Sequence, residues 1–160
     1  MQPDYWETPA APERPAVDAR TLWSGGAAAA VVAALVAVVG VVVARGLFDI
    51  PVLAPKGKGA FGDASTWGLA LAAAVTALLA TALLHLLLLF TPRPFAFFGW
   101  IVTLGTAVAV LVPFSAGAPL SAEFATAVIN LLIGIAIGTL VSSVGTRSLR
   151  RQPSPPREAA

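Results

Sequence analysis

Residues Thr66–Phe90 read TWGLALAAAVTALLATALLHLLLLF, an unbroken apolar run without one formal charge. Crossing a hydrocarbon core of roughly 30 Å takes about 20 helical residues at about 1.5 Å each, so this run is one membrane span. It is rich in Ala and Leu and lacks the alternation over about ten residues that marks a membrane-barrel strand. Lipid offers no partner to backbone N–H and C=O groups, so the segment must satisfy itself as a helix.

Outward from this span the pattern repeats. No formal charge lies between Arg20 and Arg45, Asp63 and Arg93, Arg93 and Glu123, or Glu123 and Arg147, which leaves gaps of 24, 29, 29 and 23 residues. Each gap holds one span and is too short for two. The sequence therefore predicts an all-α integral membrane four-helix bundle. Its domain covers 21–145, with helices at about 22–44, 66–90, 95–112 and 122–144 and an outer loop over 46–64. The tails are different in kind: 1–20 carries four prolines and is net acidic, and 146–160 carries three prolines and four arginines. Neither has enough apolar surface to fold alone, so both are expected to be disordered.

Composition agrees. Of the 160 residues 58% are hydrophobic and 11% charged, against roughly 45 to 50% and about 25% in soluble domains, which excludes a soluble globule. The absence of cysteine removes disulfide scaffolds, thiolate metal sites and thiol nucleophiles together. One histidine and one methionine leave no histidine-rich metal cluster and no bis-histidine haem, so no cofactor is expected. The net charge of +2 comes from short clusters between apolar blocks and not from a cationic face. That pattern argues against nucleic acid and for the lipid bilayer as partner.

A signal peptide is the competing account of the first span. The first 20 residues carry Asp4, Glu7, Glu13 and Asp18 against Arg14 and Arg20, which is no basic leader region, and the apolar run that follows exceeds the 7 to 15 residues, roughly, of a signal core. Four spans put both ends on one side. Arg14, Arg20, Arg93, Arg147, Arg150, Arg151 and Arg157 then face Arg45, Lys56 and Lys58 across the membrane, and the positive-inside rule makes both termini cytoplasmic in a plasma membrane. Trp23, Trp67 and Trp100 each fall near a span end, where an indole keeps its ring apolar and its N–H wet. Pro92 and Pro94 bracket one short turn, and Pro113 and Pro119 the other, making helices two, three and four sequential neighbours. Ser121 is expected to cap helix four with Glu123 in its first turn, and Asp63, Ser65 or Thr66 to cap helix two. The outer loop, GLFDIPVLAPKGKGAFGDA at Gly46–Ala64, is expected to lie along the interface or cover the bundle, with Leu47, Phe48, Ile50, Val52 and Leu53 as its apolar face.

Inside the spans two polar residues stand out. Helix two carries Ala73, Ala77, Thr81 and His85 at spacing four, and helix four carries Asn130, Gly134, Gly138 and Ser142 at the same spacing. Both are small-residue ridges suited to close packing, and helices two and four are expected to meet through them, with Gly138 and Ser142 beside His85. By depth His85 lies toward the cytoplasm and Asn130 toward the exterior, so the two do not meet. His85 reads as a histidine bonded to a hydroxyl or carbonyl, with a proton relay as the functional alternative. Asn130 reads as interhelical glue. Apart from Glu123 in the first turn of helix four, no Asp, Glu, Lys or Arg lies in a span, so no acid/base pair and no catalytic residue can be named. The alanine-rich helix one is able to approach its own bundle or another subunit.

The TPRPF turn at Thr91–Phe95, the LVPF at Leu111–Phe114 and the INLLIG stretch at Ile129–Gly134 resemble a family of small four-span actinobacterial membrane proteins of unknown function. The resemblance covers roughly 21–146. It implies a plasma-membrane protein of high-GC bacteria without an assigned activity.

The function expected from sequence is a non-enzymatic structural or accessory membrane component, which associates with other membrane proteins or with itself. The alternative is a small-molecule or lipid transporter or channel subunit, working as an oligomer with His85, Asn130 and the outer loop lining its path. Reporter fusions at the two ends are expected to report one compartment, the cytoplasm; opposite compartments would remove one of the four spans.

Overall fold

The computed structural model describes residues 17–56, 60–63 and 65–149. The two tails expected to be disordered lie outside the described residues, apart from the short stretches that join them to the bundle. Four helices cover α1 Ala19–Gly46, α2 Thr66–Phe90, α3 Pro94–Leu111 and α4 Leu120–Ser148, with a 3-10 turn at Val112–Ser115 ending α3. All four are long and apolar enough to cross a membrane. The bounds of α2 coincide with the sequence expectation, whereas α1 starts earlier and α4 runs on at both ends.

The ends follow from capping chemistry. Asp18 caps α1, its Oδ1 accepting from the N–H groups of Arg20 (3.1 Å) and Thr21 (3.3 Å), and this cap moves the start ahead of Leu22. Ser65 caps α2 by accepting from Gly68 N–H at 3.0 Å. Pro94 opens α3, where its missing N–H costs nothing. In α4 the expected Ser121 cap is replaced: the helix already begins at Leu120, and the buried Glu123 reaches back to accept from Ala118 N–H at 3.1 Å. A carboxylate there also faces the positive end of the helix dipole.

Helix α1 is the hub. Its buried face runs Leu22, Gly26, Ala30, Ala33, Ala37, Val41 and Ala44, a 3.6-residue seam of mostly small side chains. Its most extensive packing is against α2 and α4 of its own bundle. Against this seam α2 buries Ala70, Ala73, Ala77, Thr81 and Leu84. The buried seam of α4 holds Ile129, Ile133, Ile137 and Val141. The close approaches are specific: a Cβ on Gly26 would collide with Thr81, one on Gly25 with Val144, and one on Gly40 would lie 2.8 Å from Ile129 Cγ1.

The expected ridge-on-ridge packing of α2 with α4 is not what the structure has. Ala73, Ala77 and Thr81 belong to the core centred on α1, while Gly134 and Gly138 turn to α3. The reason is volume. The alanines of α1 leave room that the branched Ile133 and Ile137 of α4 fill, and Gly134 lies about 100° around the helix from Ile133. Helices α2 and α4 do touch at the end where the chain leaves the bundle, where Gly145 approaches Leu84 Cδ2 and Phe95 Cε1. Helix α3 is peripheral, and Phe98 is its one fully buried residue.

The two ends of the bundle are closed differently. On the side of the termini, Val17 and Leu149 form an antiparallel bridge and Asp18 N–H donates to the Ser148 carbonyl at 2.8 Å. The chain enters α1 and leaves α4 side by side, which places the two bundle ends on the same face. On the opposite side the outer loop turns at Asp49, whose φ of 52° is left-handed, and Ile50 N–H closes on the Ala44 carbonyl at 2.8 Å. Val52 is fully buried. Two short strands follow, β1 Leu53–Lys56 and β2 Ala60–Asp63, paired antiparallel with Leu53 opposite Asp63. Leu53 N–H donates to Thr126 Oγ1 at 3.0 Å, tying the hairpin to α4. Thus Val52 covers the bundle, whereas Leu47 and Phe48 stay exposed.

Gly26→Val is expected to cost about 1 to 3 kcal/mol of stability by overpacking against Thr81. Gly99→Ala, where a Cβ meets nothing within 4 Å, is expected to be neutral or slightly stabilising. Thermal unfolding of the two variants in one detergent checks the contrast.

Candidate functional site

The polar residues of the spans end up in separate places. His85, partly buried on α2, looks across to α1 and not to α4: its ring centroid lies 6.5 Å from that of Trp23, the planes tilted by 49°. Its Nδ1 is buried and finds no partner among the described residues. The expected neighbours Gly138 and Ser142 face α3 instead, Gly138 toward Val102 and Ser142 in a groove with Phe98 and Gly99. The hydrogen bond expected for His85 is therefore missing among the described residues, and an aromatic contact occupies the place of the hydroxyl.

Asn130 does act as glue. Its Nδ2 donates to the Ala109 carbonyl of α3 at 2.7 Å. A carbonyl accepts only from the amine half of the amide, so the bond fixes which way the side chain points. This contact starts a register along the α3/α4 hairpin: Asn130 meets Ala109, Gly134 faces Thr106, and Gly138 faces Val102, whose Cγ1 would lie 3.2 Å from a Cβ placed there. The α3 number falls as the α4 number rises, as an antiparallel pair requires. At the middle step a Cβ on Gly134 would collide with the Thr106 side chain.

This register leaves a lateral crevice of about 370 Å³ between α2 and α3, with α4 as its floor. Its walls are apolar apart from Thr76, Thr106 and Asn130. Thr76 is satisfied within its own helix, donating to the Ala72 carbonyl at 2.8 Å. Sequence reading missed Thr106 and Gly105. The available signal was that Thr103 and Thr106 are the only hydroxyls in α3, and that a short hairpin sets Thr106 one turn from Asn130. Two further grooves open sideways: an apolar one of about 840 Å³ between α1 and α4 and one of about 490 Å³ on the outer side of α3 and α4.

His85, Asn130 and the outer loop do not converge on one path. His85 packs by Trp23, Asn130 by Ala109, and the loop closes on Thr126 and Ala44. Among the described residues no group of three His, Asp or Glu side chains is placed to hold a metal ion.

Four apolar helices, with the start of α1 paired to the end of α4, are built as a multi-pass membrane protein. The chain belongs to a family of unknown function, DUF6069, whose model matches residues 17–147. No curated protein and no solved structure matches it.

Asn130→Leu is expected to lower stability by about 0.6 to 2 kcal/mol, the range of an interhelical hydrogen bond in a membrane bundle. The loss should appear as freer α3: cysteines placed on α3 become more reactive while those on α1 do not change.

Proposed function

We propose that the protein is a non-enzymatic accessory component of an actinobacterial plasma membrane, with both termini cytoplasmic, which works by lateral association with helices of other membrane proteins. The observation that carries this is the outer α3/α4 groove. Between bulkier residues such as Phe98, Leu131 and Ile135 it is lined by Gly99, Thr103 and Ala107 on α3 and by Thr139 and Ser142 on α4. Small and hydroxyl side chains let another helix approach closely, and in lipid such contacts supply the packing that drives association. A purely lipid-facing surface has no need of them. Helix α3, with one residue fully buried, is free to pair on this side. The orientation is supported by the seven arginines that fall on the side of the termini against Arg45, Lys56 and Lys58 on the other.

Gentle solubilisation of tagged full-length protein is expected to recover a membrane partner in fixed stoichiometry, read by native mass spectrometry. The double variant Gly99→Leu, Thr103→Leu is expected to lose that partner with an unchanged unfolding temperature. A chain that runs alone, or a partner retained by the variant, overturns the proposal.

A further inference from the structure

We infer that the crevice between α2, α3 and α4 binds a neutral, lipid-soluble alcohol, an apolar body carrying one hydroxyl, held at mid-membrane by Asn130 and Thr106. This goes beyond lateral association and does not rest on it: Val102, Thr106 and Gly134 border both cavities, but Asn130 and the α2 wall belong to the crevice and not to the outer groove.

The polar complement comes first. The amide of Asn130 commits its Nδ2 to Ala109, and its Oδ1 receives no hydrogen bond among the described residues. Thr106 is also uncommitted. The hydroxyls of Thr76, Thr81, Thr126 and Thr139 each donate to a carbonyl one turn back, whereas that of Thr106 makes no such bond among the described residues. Both side chains line the same crevice, one turn apart along the α3/α4 contact. An acceptor and a hydroxyl left open in hydrocarbon call for a molecule that both donates and accepts, and a hydroxyl does both.

Depth decides the class. Asn130 sits ten residues below the start of α4 at Leu120, about 15 Å along the helix and near the middle of the roughly 30 Å core. Phospholipid head groups stay at the interface and do not reach that level. A charged head group is excluded there by its desolvation cost. The polar group must therefore arrive on a molecule that dissolves in the hydrocarbon. The shape agrees: the α2 wall runs from Leu69 to Leu83, about 21 Å at 1.5 Å per residue, and about 370 Å³ lies within the size range of small-molecule sites. A second copy of the chain is the competing occupant. Its helices satisfy their own backbones, so apart from side-chain hydroxyls it brings nothing to Asn130.

The test uses full-length protein in phosphatidylcholine nanodiscs with a long-chain alcohol carrying a diazirine, beside the matched diazirine alkane without the hydroxyl. The alcohol is expected to label peptides of α2, α3 and α4 that line the crevice roughly tenfold more than the alkane, the factor for about one hydrogen bond. Gly105 lines the crevice and a Cβ there meets nothing within 4 Å. Gly105→Leu is therefore expected to fill the space and bring alcohol labelling down to the alkane level with the unfolding temperature unchanged. Thr106→Val, of nearly the same shape, is expected to reduce labelling several-fold, and it decides the matter if Gly105→Leu fails to fold. Equal labelling by alcohol and alkane, labelling elsewhere on the chain, or labelling unaffected by the folded variants overturns the inference. So does efficient disulfide dimerisation of Gly105→Cys, which would put a second copy in the crevice.

Discussion

The bundle depends on how closely α1 lets two neighbours approach at once. Its buried seam is mostly Gly and Ala, so α2 and α4 close on it from different sides. In lipid there is no hydrophobic drive for helices to meet, since acyl chains are as apolar as leucine; close packing has to supply the attraction. A small seam supplies it twice, by admitting Thr81 of α2 at Gly26 and the isoleucines of α4 around Gly40 and below. Helix α3 takes no part in this seam, and its attachment is correspondingly light: Phe98, the Asn130 bond and the glycine notches of α4.

The four spans were legible because burial in lipid is a property of composition. Any stretch of this length without charge pays a prohibitive cost in water, whatever its rotation or neighbours. The ends of α2 were legible for a local reason, since Ser65 caps one end and Pro92 prevents continuation past the other. Which face meets which was not legible. A spacing of four identifies a ridge but not its partner, and the partner here is set by volume, with alanines against isoleucines in place of one small ridge against another. His85 shows the same limit. Its depth on α2 followed from counting, but its rotation toward Trp23 depends on where α1 sits, which no periodicity in α2 records.

The ends of the bundle were hidden differently. The antiparallel bridge of Val17 with Leu149 joins residues at opposite ends of the sequence, and nothing local to either residue announces the other. The β1/β2 hairpin rests on short strands, one of them containing Pro55, within a segment whose glycines and prolines read as irregular loop. It is stabilised from outside, through Thr126 and the buried Val52. Isolated two-stranded hairpins are marginal in water, so the loop owes its order to α4 more than to its own residues.

The family match and the physical unit share their edges. The match begins at residue 17, where Val17 starts the bridge that closes the bundle, and it ends at residue 147, just before Ser148 and Leu149 complete that bridge. The match therefore takes in the four helices of the bundle, while Ser148 and Leu149, which complete the bridge, lie just outside it. Within it, the residues whose polarity is not consumed by holding helices together are few. Thr81, Thr126 and Glu123 are engaged in the fold, and the Nδ2 of Asn130 with them. Among the described residues, those that remain open include the other half of that amide and the Thr106 hydroxyl, which border one crevice, and the Thr103 and Ser142 hydroxyls, which border the outer groove. A polar atom left without a partner in hydrocarbon opposes folding. Thr106 is seated in the Gly134 notch of α4 and Asn130 on Ala109, so the packing that joins α3 to α4 also sets the two polar groups along one crevice.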